Sequence, residues 1–108
     1  MSEDLQREVM ALVNRINEVA LVERIYLFGS FAYGEPNEDS DLDLCIITDD
    51  TNIRKRDLIR AIRKSISNVA TMPVDILVYN KDDFQKRANL ETTLEYKIKN
   101  EGVKVFEQ

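Results

Sequence analysis

Two short apolar runs in this sequence contain aspartates where a buried strand should have none. The first run, Asp41-Leu42-Asp43-Leu44-Cys45-Ile46-Ile47, has the apolar content of a central strand. Side chains at i and i+2 of a strand point to the same face, so Asp41 and Asp43 project together while the residues between them point into a core. Neighbouring unpaired carboxylates repel one another and cost desolvation free energy. The pattern therefore predicts that a cation, most simply a divalent metal ion, lies between them.

The second run, Pro73-Val74-Asp75-Ile76-Leu77-Val78-Tyr79, contains one acid. If it forms a strand beside the first, Asp75 joins Asp41 and Asp43 on one face. Three acids could hold two Mg²⁺ ions about 3.5–4 Å apart, which activates an attacking oxygen and stabilises a leaving one. The chain has no histidine, so Asp75 is also the candidate to assist deprotonation of a nucleophile. Taken alone, Asp75 could equally be an edge-strand acid that faces water.

Gly29 and Ser30 follow an apolar segment, 24–28, at the point where a strand should stop. Glycine lets the backbone approach a ligand, and Ser30 is predicted to N-cap a helical turn that Gly34 closes. Free N–H groups at the start of such a turn bind phosphate. With the acids, they predict a metal-dependent site for a nucleoside triphosphate. Ser40 is a further candidate for ligand binding, with a hydrogen bond inside its own turn as the alternative.

The order of these motifs resembles the DNA polymerase beta-type nucleotidyltransferase superfamily. The motifs are Gly29-Ser30-Phe31-Ala32-Tyr33-Gly34, then Ser40-Asp41-Leu42-Asp43-Leu44, then Asp75. More narrowly, the chain resembles the minimal nucleotidyltransferases (MNT), which are often antitoxins paired with HEPN-domain toxins, and the resemblance covers nearly the whole chain. It implies that Gly29 and Ser30 bind triphosphate. It also implies that Asp41 and Asp43 bind both metal ions, with Asp75 as the third catalytic carboxylate. Tyr33 departs from the pattern, since many members carry arginine there.

The resemblance also implies an activity. We expect Mg²⁺-dependent transfer of a nucleotide, most simply AMP from ATP, to a hydroxyl of a partner protein, and a HEPN toxin tyrosine is the implied acceptor. One alternative is transfer to a small molecule such as an antibiotic, which ranks lower because enzymes of that kind usually append a larger acceptor-binding domain. The alternative outside catalysis is an antitoxin that masks its partner by docking.

Length and composition favour one nucleotidyltransferase domain over residues 1–108. With 44% hydrophobic residues, the chain can form one core. A net charge of −5 disfavours nucleic acid as the main partner. A single cysteine, Cys45, excludes a disulfide framework, and no apolar leader or membrane-spanning run is present, so we expect a cytoplasmic protein. A thinly covered sheet favours a homo- or hetero-oligomer.

The predicted fold class is α/β (α+β), a small mixed sheet of three to four strands flanked by helices. Apolar periodicity predicts helices at 4–21, 53–68 and 89–100, a short helix after Asn80, a polar loop at 35–40, and strands at 24–28, 42–48, 74–79 and 103–106. Gly102 is expected to end the last helix in a left-handed conformation. The helix at 53–68 carries six basic residues, interpreted as a solvated face, with an acidic partner or incoming triphosphate as alternatives.

Overall fold

The computed structural model describes residues 2–34, 36–37, 39–50 and 52–108. Glu35 and Glu38 of the predicted loop lie outside the described residues. In chain order the elements are α1 (Glu3–Val19), β1 (Val22–Phe28), α2 (Ser30–Tyr33), β2 (Leu42–Thr48), α3 (Lys55–Ile66), β3 (Val74–Asn80), α4 (Lys81–Ala88), α5 (Leu94–Glu101) and β4 (Val103–Glu107). The predicted fold class, a mixed sheet flanked by helices, is confirmed.

The sheet has the strand order β3-β2-β1-β4. β1 pairs antiparallel with both β2 and β4, whereas β2 and β3 are parallel. Parallel neighbours need a crossover connection, and α3 provides it between β2 and β3. This arrangement brings the beginnings of β2 and β3, which carry the predicted acids, to the same edge of the sheet.

Each face of the sheet has its own apolar cluster. On one face, α1 and α3 pack against alternate residues of the strands, among them Leu42, Leu44 and Ile46, as the period-two pattern predicts. The other face packs against α4 and α5 and contains Tyr26, Phe28, Cys45, Ile47, Phe84, Ala88 and Ile98. Burial raises the pKa of the Cys45 thiol to about 12, so Cys45 is a protonated core residue. Within the described ranges, no helix is long and apolar enough to cross a membrane.

The C-terminal part of the chain differs from the prediction. The helix expected over 89–100 begins only at Leu94, because the Thr93 hydroxyl caps it by accepting a hydrogen bond from the Tyr96 N–H. Of the apolar residues at helical spacing within 89–100, Leu90 and Leu94 are exposed, whereas Ile98 is buried. α3 is likewise shorter than the predicted 53–68.

The prediction that Gly102 adopts a left-handed conformation is wrong. Its φ is −69°, which any residue can adopt. A Cβ at this position would lie 2.5 Å from the Ile98 carbonyl oxygen and 3.1 Å from that of Leu27. Gly102 is therefore required by the close approach of two backbone segments where α5 turns into β4.

A buried carboxylate ties α5 to the sheet and to α4. Glu95 is only 4% exposed, and its Oε1 accepts hydrogen bonds from the Tyr79 hydroxyl at 2.7 Å and from the Arg87 Nε at 2.8 Å. Burial by itself would raise the pKa of Glu95, but the hydrogen bonds from Tyr79 and Arg87 outweigh it and hold the pKa below its ordinary value. The folded state therefore stabilises the charged form.

We expect Glu95→Gln to lower the free energy of unfolding at pH 7 by about 1–3 kcal/mol, because it replaces a charged acceptor of two hydrogen bonds. Since folding lowers the pKa of Glu95, its contribution is full above the ordinary value of 4.5 and is lost as the pH falls through the lower folded value. Urea denaturation at pH 7 and pH 3 should show the difference from wild type shrinking in acid. Glu91→Gln, at an exposed position, is the control. A difference that is equal at both pH values would contradict the linkage.

Candidate active site

The parallel register of β2 and β3 makes Asp43 and Asp75 direct neighbours across the two strands. The Leu42 N–H donates to the Pro73 carbonyl at 3.0 Å, which fixes this register where the strands begin. Strand alternation puts both aspartates on the face that α4 and α5 cover. Asp41 precedes β2 and stands two residues before Asp43. The structure thus brings the three predicted acids to one edge of the sheet.

The charges of these acids affect one another. The pKa of Asp43 is raised to about 6, first by its partial burial, then by the charge of Asp75 and a hydrogen bond with it, and then by the charge of Asp41. A raised carboxyl pKa means that the surroundings disfavour the ionised form, here through burial and two neighbouring carboxylates. A bound cation would favour the ionised form of Asp43 and offset its repulsion from Asp75 and Asp41. The charges at this edge of the sheet therefore fit a cation-binding site.

Gly29 lies directly against the carboxylate of Asp43. A Cβ added to Gly29 would be 2.0 Å from Asp43 Oδ2, and the backbone angles, φ 77° and ψ −162°, belong to a region that only glycine adopts readily. From the sequence, this glycine was expected to let the backbone approach a ligand. The structure shows a nearer cause, since the space of the missing side chain is filled by the carboxylate.

The turn after Gly29 differs in one detail from the prediction. The N-cap of α2 is Gly29 and not Ser30, because the Gly29 carbonyl accepts hydrogen bonds from Ala32 N and Tyr33 N, both at 3.0 Å. Ser30 is instead the first helical residue. Gly34 closes the turn with a φ of 81°, in the left-handed conformation that the sequence predicted.

Ser30 and Ser40 connect this turn to the loop before β2. The Ser30 hydroxyl donates to Ser40 Oγ at 3.0 Å, and Ser40 Oγ also accepts from Asn37 N at 2.8 Å. The structure thus has Ser40 in the hydrogen-bonded turn that was the alternative to ligand binding. This bond orders the approach to Asp41, whereas a ligand role for either serine stays a prediction.

The carboxylates suit a magnesium ion whose remaining ligands come from water and substrate. Among the described residues, no group of three or more His, Cys, Asp or Glu side chains is arranged to hold a metal ion by itself. Asp43 and Asp75 form a pair, and Asp41 acts on it through its charge. Mg²⁺ is commonly bound by one or two carboxylates, with waters and substrate phosphates completing its shell. The donor set therefore suits an ion that arrives with a phosphate-bearing substrate.

Two basic residues lie near this edge: Lys97, which the sequence did not indicate, and Arg63, which is one of the six basic residues of the predicted helix at 53–68. The Lys97 ammonium lies 4.6 Å from the ring centre of Tyr33, the last residue of α2. The Arg63 guanidinium is 3.5 Å from the carbonyl oxygen of Val74, the residue before Asp75. Both contacts join segments that are far apart in the chain, so no local spacing could have indicated them.

The sequence profile of the nucleotidyltransferase domain family matches residues 9–104. This chain belongs to that family. Among curated proteins, none matches the sequence. The superfamily predicted from Gly29, Ser30 and the three aspartates is confirmed by the match.

Solved structures share the nucleotidyltransferase fold. A Sulfolobus solfataricus protein assigned to the nucleotidyltransferases has 15% identity and a TM-score of 0.61, over 95% of this chain and 80% of its own. A toxin–antitoxin structure with AMP-PNP has 18% identity and a TM-score of 0.53, over 95% and 73%. A variant of the toxin–antitoxin MntA–HpeT has 18% identity and a TM-score of 0.54, over 100% and 74%. At these identities the likeness shows a shared fold.

Proposed function

We propose that this nucleotidyltransferase moves a nucleotide, most simply AMP from ATP, to a hydroxyl of a partner protein in a Mg²⁺-dependent reaction. The observation that carries the proposal is the register pair Asp43–Asp75 beside Gly29. Among the described residues, no ion pair engages these carboxylates or Asp41. Acids kept without a cationic partner at a sheet edge are costly unless a ligand supplies the charge.

Each residue of the site has a part in this proposal. Asp41, Asp43 and Asp75 would hold magnesium, two ions in the full site, and the metal would supply positive charge that offsets phosphate charge and makes the acceptor hydroxyl more acidic. Gly29 leaves room for the Asp43 carboxylate, and the N–H groups of Ser30 and Phe31, the first two of α2, have no acceptor within the helix and are available to phosphate oxygens.

Asp75 is exposed and takes the proton of the acceptor hydroxyl. The acceptor oxygen then bonds to the α-phosphorus. The bond from that phosphorus to the bridging oxygen breaks, and pyrophosphate leaves.

Solved structures with a similar fold support the choice of partner. Two of the solved structures similar to this chain are toxin–antitoxin assemblies, and one of them contains AMP-PNP. We therefore assign this chain the role of an antitoxin, and its acceptor is a tyrosine hydroxyl of a HEPN-domain toxin. The net charge of −5 agrees with a protein acceptor, because a nucleic-acid partner requires a basic surface.

Label transfer from ATP tests this function. The chain and the partner that co-purifies with it are incubated with Mg²⁺ and ATP labelled at either the α- or the γ-phosphate. We expect α label on the partner, no γ label there, and no transfer when Mg²⁺ is chelated. Transfer of γ label would indicate a kinase. If the chain neutralises the partner without labelling it, the chain acts by docking onto the partner and masking it, and the catalytic proposal is wrong.

A further inference from the structure

Lys97 of α5 lies over the ring of Tyr33, the last residue of the short helix α2. Its ammonium lies 4.6 Å from the centre of the Tyr33 ring, a cation–π contact. Tyr33 in turn packs against the apolar cluster of the sheet face that also carries the acids. Lys97 is thus positioned by an aromatic side chain belonging to α2.

This lysine has no acidic partner in the part of the chain that the structure describes. On the neighbouring helix α4, Lys81 is paired with Glu23 at 3.3 Å and Arg87 with Glu95 at 2.8 Å, whereas Lys86 of α4 and Lys99 of α5 form no ion pair among the described residues. Lys97 therefore carries a positive charge that no side chain offsets, even though the chain as a whole is acidic.

The short helix α2 separates the positive charge of Lys97 from the carboxylates. The helix runs from Ser30, next to Gly29 and the Asp43 carboxylate, to Tyr33 beneath Lys97. Four helical residues at 1.5 Å each span only roughly 6 Å. A single triphosphate chain is long enough to have its α-phosphate near the acids and its outer phosphates near the lysine.

We propose that Lys97 binds the β- or γ-phosphate of the nucleoside triphosphate and that Tyr33 is the positioning residue that holds the lysine there. This inference rests on the proposed function and adds the group that recognises the triphosphate. The ring of Tyr33 makes the contact, whereas its buried hydroxyl has no hydrogen-bond partner among the described residues. Phenylalanine should therefore serve in its place.

Nucleotide binding tests the role of Lys97 without requiring turnover. Calorimetric titration with Mg·ATP and Mg·AMP is carried out on the wild-type chain, Lys97→Met, and the matched control Lys99→Met. The control removes the same charge from an exposed position of the same helix. We expect Lys97→Met to weaken ATP binding roughly 10- to 100-fold, as loss of a charged hydrogen bond implies. AMP lacks the outer phosphates, so its affinity should change less than about twofold, and Lys99→Met should bind both nucleotides like the wild type.

Substitutions of Tyr33 test whether its ring positions Lys97. Tyr33→Leu should weaken ATP binding severalfold, and Tyr33→Phe should restore it, because phenylalanine keeps the aromatic face under Lys97. Equal losses in Lys97→Met and Lys99→Met, or none in Lys97→Met, would overturn the inference while leaving the proposed function intact. A wild-type chain that binds no Mg·ATP would overturn both.

Discussion

Asp43→Asn is expected to lower the rate of nucleotide transfer by about 10³-fold or more, since a lost metal ligand removes several kcal/mol of transition-state stabilisation. Asp43 is the central acid of the site, because it adjoins Asp75 in register and fills the space beside Gly29. Asparagine has nearly the same shape, so the fold should survive. Because partial burial, and then repulsion from the other acids, raises the pKa of Asp43, the amide should also leave the metal-free protein at least as stable as the wild type.

Opposite effects on activity and stability would separate a catalytic role from a structural one. The transfer rate is measured with α-labelled ATP, and the free energy of unfolding by urea titration without metal. Asp75→Asn should behave like Asp43→Asn. Asp39→Asn, an exposed acid of the loop before β2, is the matched control and should keep the wild-type rate. A stable Asp43→Asn protein with an unchanged rate would refute the assignment.

The positions of the acids could be predicted from the sequence because they depend on local periodicity. Alternation within each run is enough to put Asp43 and Asp75 on matching faces of two strands, and Asp41 lies just before the first of them. Their exact neighbours depend on the register of a parallel pair, which a crossover helix sets and no local pattern specifies. The sequence therefore predicted the acids as a group, and the structure adds that Asp43 and Asp75 are the adjacent pair.

Features that depend on contacts between distant segments were missed or misattributed. Gly29 and Gly102 were interpreted by backbone rules, yet each is required by a neighbour from another part of the chain, a carboxylate in one case and carbonyl oxygens in the other. Lys97 was not singled out, because its contact with Tyr33 exists only once α5 packs over α2. Leu90 and Leu94 fit a helical pattern, but the cap at Thr93 starts the helix later and both side chains stay exposed.

Gly29→Ala should cause both a loss of stability and a loss of transfer activity. The glycine-only backbone conformation, φ 77° and ψ −162°, costs about 1–3 kcal/mol for a residue with a side chain. The new methyl group would also stand 2.0 Å from Asp43 Oδ2, so the carboxylate must move away. The rate should therefore fall about as far as in Asp43→Asn. Urea titration and the α-label assay measure the two effects.

Gly34→Ala is the control, because Gly34 also has a positive φ but would not bring an added Cβ into a clash. Gly34 has a φ of 81°, and nothing lies within 4 Å of an added Cβ, so only strain of about 1 kcal/mol is expected. Asp43→Ala isolates the clash, since it removes the carboxylate and leaves a Cβ at 3.4 Å. Gly29→Ala should then destabilise Asp43→Ala less than it destabilises the wild type, with a coupling free energy of about 1 kcal/mol or more. Equal destabilisation in both backgrounds would show that backbone strain alone, and not the Asp43 carboxylate, requires glycine at this position.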